Sequence, residues 1–109
     1  MGMLTGKYDD GKSPKGSRGD LFPDFLGGYR AAEGAYLDSN ATARELGLTP
    51  TQFALKFVES RGFVTSNIIG ATTMSQLKEN IDAHDIEWTV EMESAAHRLH
   101  RTYRCPVGR

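Results

Sequence analysis

The run Ser66-Asn67-Ile68-Ile69-Gly70-Ala71-Thr72-Thr73-Met74-Ser75-Gln76-Leu77-Lys78-Glu79-Asn80 says more about fold and chemistry than any other stretch of this chain of 109 residues. Phe63 to Ile69 is short, rich in β-branched residues and bounded by Gly62 and Gly70, which predicts a buried strand. The chain then turns through Gly-Ala-Thr into a helix. Thr73 stands at the cap with Gln76 three residues on, and Met74, Leu77 and Ile81 follow at helical spacing to about Ala83. A helix start leaves backbone N–H groups unpaired and carries partial positive charge, so it favours a phosphate. Gly70 permits close approach of backbone to a ligand. Thr72 and Thr73 add hydroxyl groups, while Gln76, Glu79 and Asn80 fall on adjoining turns from which a nucleotide base can be read.

Working outward, Ala32, Ala35, Tyr36, Ala43 and Leu46 share one face of a helix near 30–46, stopped by Gly47 and weakened by Gly34. Thr49-Pro50-Thr51-Gln52 opens a second helix with Thr at the cap and Pro at the first helical position. Phe53, Ala54, Phe57 and Val58 form its apolar stripe, and Arg61-Gly62 ends it. Trp88-Thr89 introduces a last helix with Met92, Ala95, Ala96, Leu99 and Tyr103 inward. On the N-terminal side, residues 1–8 read as a strand end and the loop after it. Residues 9–28, with Pro14, Pro23 and five glycines, read as a long polar loop, and loops of that length in compact domains are usually functional or disordered. The order is α/β punctuation with one complete strand. One strand makes no sheet, because its backbone donors and acceptors need neighbours on both sides. The sequence asks for partners that it does not contain, and a start at Met1-Gly2-Met3 inside a strand end reads as truncation.

Composition narrows the class. A net charge of −1, 39% hydrophobic and 25% charged residues suit one soluble globular unit with a thin stability margin, and basic residues spread along the chain point away from nucleic acid and membrane as partners. A single cysteine, Cys105, fits a reducing cytoplasmic setting, and it has no base nearby in sequence that would make it a nucleophile. His97 and His100 stand at i and i+3, but no carboxylate or thiol completes a metal set at a convincing spacing, so they read as half-exposed helix histidines. His84 reads as a helix C-terminal cap, and Trp88 as packed under the last helix.

Ile-Ile-Gly-Ala-Thr-Thr-x-x-Gln-Leu-x-Glu-Asn, here Ile68 to Asn80, is similar to the aldo-keto reductase segment that joins the eighth barrel strand to the following helix. Gly2-Met3-Leu4-Thr5-Gly6-Lys7-Tyr8 resembles that family's run after the seventh strand. Leu46-Gly47-Leu48-Thr49-Pro50 and Phe63-Val64-Thr65-Ser66 extend the likeness over essentially the whole chain. The resemblance implies the C-terminal part of a (β/α)8 TIM barrel: the end of strand 7, strand 8 and flanking helices. Residues 1–109 would be the C-terminal portion of an NADP-dependent oxidoreductase domain.

The implied cofactor is NADP(H). By the same resemblance Gly70 and Thr72 line the adenosine 2′-phosphate, and Gln76, Glu79 and Asn80 contact the adenosine end. Gly2 supplies backbone and Lys7 a charge at the pyrophosphate, and Arg18 matches another phosphate-binding arginine across a gap. Where some members carry Lys or Arg for the 2′-phosphate, this chain has Ala71 and Gln76. The family's catalytic Tyr, Asp, Lys and His belong to the first four strands, so no catalytic residue is assigned here, Tyr8, Tyr29, Tyr36 and Tyr103 included. The expectation is a cofactor-binding portion of a carbonyl reductase, inactive alone, with its carbonyl substrate bound only by the full-length parent. The alternative is a non-catalytic nucleotide-binding or regulatory module.

Overall fold

Thr49, Thr73 and Thr89 each stand in extended backbone, and each hydroxyl accepts the N–H three residues on, from Gln52, Gln76 and Met92. Each capture satisfies one of the donors that a helix start leaves open. In the computed structural model, which describes residues 2–105, these caps open α3 (Pro50–Glu59), α4 (Met74–Asp82) and α5 (Val90–Thr102). At α3 the cap is reciprocal, because the Gln52 side chain also accepts the Thr49 N–H at 2.9 Å. Before these lie α1 (Arg18–Leu21), capped by Ser17, and α2 (Glu33–Glu45), ended by Gly47 at φ 75°. Turns of 3-10 helix occupy Met3–Thr5, Pro23–Ala32 and Ala83–Asp85.

The core is small and sits where α2, α3 and α5 meet. Ala43, Phe53 and Met92 are buried there, and Leu46, Leu48, Ile86, Trp88, Ala96 and Leu99 pack around them. Phe53 stacks on Trp88 with ring centroids 5.5 Å apart, and Phe57 meets the same indole edge-on at 6.0 Å. Arg61 lies over the Phe57 ring at 4.5 Å and forks onto the Glu93 carboxylate, which also accepts the Trp88 indole N–H at 2.6 Å. This clasp ties the end of α3 to the start of α5. At the other end of α5 the Tyr103 hydroxyl donates to Asp38 on α2, and its ring lies against Gly34, where an added Cβ would sit 3.3 Å from the phenol oxygen. Gly34 does weaken α2 by propensity, yet the absent side chain is what lets α5 close on it.

Several sequence expectations need correction. Phe63 to Ile69 is neither paired nor buried: no strand forms among the described residues, and Phe63 and Ile68 are 87% and 97% exposed. The α/β expectation therefore holds only for its helices. A strand is defined by ladder partners, and these residues supply none. Met74, Leu77 and Ile81 are exposed for the same reason, since the stripe they form on α4 has little to pack against. The N-terminal run is no strand end but a single turn bracketed by Gly2 and Gly6 at φ 88° and 77°. The long loop contains α1 and the start of the Pro23–Ala32 turn, because Tyr8, 3% exposed, accepts the Gly19 N–H and gathers the loop over itself. His84 does not cap by its ring: its carbonyl accepts the Lys56 ammonium at 2.7 Å, which fastens α3 to the Ala83–Asp85 turn.

Two outcomes follow for the isolated chain. Thr49→Ala removes the cap of α3 and the hydroxyl that donates to Glu79 at 2.6 Å; it should lower unfolding free energy by about 1 kcal/mol, read as a lower urea midpoint with unchanged slope. Hydrogen bonds from Arg61 and then Trp88 hold the Glu93 carboxyl at about 2, against an ordinary 4.5. The depressed value means that the unfolded chain takes up the proton first, so the stabilisation is complete above about pH 4.5 and is lost as pH falls toward 2. Glu93→Gln should flatten the acid limb of a melting-temperature profile over that window.

Candidate functional site

The N-terminal turn is built on α2. Asn40, fully buried, donates through Nδ2 to the Met3 carbonyl at 3.0 Å and to Asp9 Oδ1 at 2.7 Å. Arg44, one turn on, pairs with Asp9 Oδ2 at 2.6 Å. The turn so held carries Gly2 and Lys7. Gly2 is favoured there by its positive φ, and a Cβ on it would lie 2.6 Å from Lys7 Cε and 2.9 Å from its Nζ, so the lysine's flexible end would have to swing aside. The Lys7 ammonium stands 5.1 Å from the centre of the Tyr8 ring. Burial raises the Tyr8 phenol's pKa, but hydrogen bonds from the Gly19 N–H and Ser17, together with the Lys7 charge, outweigh it and leave the phenol more acidic than usual.

The second part is the start of α4. Gln76 Oε1 accepts both the Thr72 N–H at 2.8 Å and the Thr72 hydroxyl at 3.0 Å, while Gln76's own N–H goes to the Thr73 cap. The bend is therefore closed by its own side chains. Glu79 accepts the Thr49 hydroxyl and so joins α4 to the cap of α3. Gly70 has open space where a Cβ would point, which is consistent with access but shows no close approach within the chain.

These two parts line one open groove of about 1280 Å³. Gly2, Lys7, Gly70, Thr72, Gln76, Glu79 and Asn80 all line it, so seven of the eight residues singled out from sequence are brought together. Its floor is apolar and comes from α2, α3 and α5, including Ala35, Tyr36, Ala54, Val58 and Leu99. Arg18 is the exception. It opens α1 and does not line the groove, although its neighbour Gly19 is bonded to Tyr8, the residue after Lys7. Asn40 was missed by sequence reading. The available signal was a polar residue at a core position, since 32, 36, 40 and 43 recur on the face that α2 turns inward. His100 lines the groove alone of the three histidines; His97 instead pairs with Glu93 at 3.1 Å. Among the described residues no three His, Cys, Asp or Glu side chains gather as a metal set, and no helix is long and apolar enough to cross a membrane. Cys105 is exposed.

Comparison with known proteins gives these residues a family. The model of the "Aldo/keto reductase family" matches residues 1–99. The chain is 41% identical over 111 residues to the protein tas of Escherichia coli (strain K12), a match covering 98% of this chain and 31% of that protein. It is 38% identical over 88 residues to a putative voltage-gated potassium channel subunit beta of Schizosaccharomyces pombe, covering 75% of this chain and 25% of the relative. To an aldo-keto reductase of Babesia bovis it is 32% identical over 114 residues, covering 97% and 39%. The chain thus spans about a third of the length of the curated relatives it matches. With the family model matched over nearly all of its length, and with the Gly2–Lys7 turn and the start of α4 inside that match, the chain belongs to the aldo/keto reductase family.

Proposed function

We propose that this chain is the cofactor-gripping portion of an NADP(H)-dependent carbonyl reductase acting in the cytoplasm. The observation that carries the reading is the convergence of two segments more than sixty residues apart, Gly2–Lys7 and Gly70–Asn80, on one groove. Nothing in the spacing of those segments required them to meet. The family to which the chain belongs makes a nicotinamide dinucleotide the natural occupant.

The donor set suits the group. Lys7 and the left-handed Gly2 turn would take the pyrophosphate, a cation beside exposed backbone. Thr72 and the first N–H groups of α4, beside Gly70, would take the 2′-phosphate, since those of Met74 and Ser75 at the helix start have no partner within the helix. Gln76, Glu79 and Asn80 would read the adenosine. Gln76 presents its amide NH2 while its oxygen holds Thr72, and a 2′-phosphate must compete with that oxygen for the Thr72 donors. Arg18 would join the pyrophosphate side only if α1 moved toward the groove.

When bound, the cofactor supplies the hydride that reduces an aldehyde or ketone. This chain's residues hold the nucleotide end, remote from the reacting carbon, and such binding accelerates a reaction only where the reacting half is also positioned. The carbonyl substrate and the proton donor belong to the whole protein.

Titration of the 109-residue chain with NADPH and NADH, followed by Trp88 fluorescence, tests the reading. Trp88 packs on Phe53 and Phe57, which line the groove, so ligand entry should reach it. NADPH should bind more tightly than NADH, and Lys7→Ala should weaken NADPH by roughly 10-fold or more, the loss of one charge-assisted bond. Equal affinity for the two nucleotides would sink the 2′-phosphate assignment. The same chain, purified free of host reductases, should reduce no carbonyl with NADPH at any concentration tested, and sustained substrate-dependent loss of absorbance at the nicotinamide band would contradict this.

A further inference from the structure

We infer that Asn40 is a positioning residue for the Gly2–Lys7 turn, and that it sets Lys7 for its ligand through Met3 and Asp9. The claim about the ligand rests on the nucleotide reading above; the claim about the turn does not. Asn40 is fully buried on the inward face of α2, among positions otherwise held by Ala32, Tyr36 and Ala43. Both Nδ2 hydrogens are spent on the turn, one on the Met3 carbonyl at 3.0 Å and one on Asp9 Oδ1 at 2.7 Å. Its Oδ1 is buried with no hydrogen-bond partner among the described residues. A residue selected for stability alone would not leave that oxygen desolvated, because an orphaned buried acceptor is costly. An apolar side chain of similar size would fill the site without the penalty, but would leave nothing to hold the turn.

The two anchors bracket Lys7, and the first adjoins Gly2. Met3 follows Gly2, and Asp9 stands two residues after Lys7. Arg44 braces Asp9 from the solvent side, with Oδ2 at 2.6 Å, so the carboxylate is gripped on both oxygens from α2. Lys7 itself is not touched by Asn40. It is placed because the backbone on either side of it is fixed, and because Gly2 lies beneath its stem.

The test uses the full chain and four forms: wild type, Asn40→Asp, Asn40→Asp with Asp9→Asn, and Lys7→Ala. Asn40→Asp keeps the shape but sets a second carboxylate against Asp9. Amide exchange of Thr5, Asp9 and Gly11, whose N–H groups close the turn, should accelerate at least tenfold, while exchange across α3 and α5 stays as in wild type. Adding Asp9→Asn returns one amide and one carboxylate to that pair but no donor to the Met3 carbonyl and no charge to Arg44, so it should restore protection in part at Asp9 and leave Thr5 fast. NADPH affinity should fall with Asn40→Asp by about as much as with Lys7→Ala, although Lys7→Ala leaves exchange unchanged. Unchanged exchange in the turn, equal acceleration in α3 and α5, or full rescue of Thr5 by the double variant, which lacks a donor for the Met3 carbonyl, would overturn the positioning role. A loosened turn with NADPH affinity intact would overturn its link to the ligand. Wild-type chain that protects the turn but binds no NADPH would retire the nucleotide reading and leave the turn's anchor established.

Discussion

Burial of Phe53 is the interaction on which the rest of the chain depends. It is the largest buried apolar side chain in the cluster where α2, α3 and α5 meet, and it stacks on Trp88, which the Arg61–Glu93 clasp holds in place. Around it are mostly alanines and single aliphatic residues: Ala43, Ala95 and Met92 are buried, and Leu46, Leu48 and Leu99 only partly. So few large buried groups stabilise a chain of this length narrowly. The polar clasp and the three threonine caps accordingly carry a larger share of the fold than they would in a bigger protein.

The core is one-sided because the backbone of residues 65–71 has nowhere to send its hydrogen bonds. Among the described residues these groups make none, although the side chains are those of a buried strand. A β-rich segment without a ladder stays in solvent, and it carries Ile68 and Phe63 out with it. The faces of α2, α3 and α5 that turn toward this segment therefore line an open groove instead of a filled interior. The curated relatives it matches are about three times as long as this chain.

Within the groove the polar groups are arranged unequally. The Gly2–Lys7 side is tied to α2 through Asn40, with the Lys7 ammonium over the Tyr8 ring. The α4 side is closed on itself, with Gln76 occupying the Thr72 donors and Glu79 occupied by Thr49. One side carries a cation and the other donors already taken by its own side chains.

The helices were legible in the sequence because their signals are local. Thr49-x-x-Gln52, Thr73-x-x-Gln76, Thr89 and Gly47 act on backbone groups within three or four residues, and each sits where its pattern placed it. The stripe Met92–Ala95–Leu99 was legible for a similar reason, as helical period alone puts those residues on one face. Phe63–Ile69 was misread because burial of a strand is decided by partners, and no local pattern reports whether partners are present. The polar lining of the groove was legible as two separate motifs. Only tertiary structure decided that Gly2 and Lys7 line one groove with Thr72 and Asn80, that Arg18 stands outside it, and that Asn40 bonds to the turn. Those outcomes depend on how α2 packs on α3 and α5, which is set by long-range burial rather than by the spacing of residues along the chain.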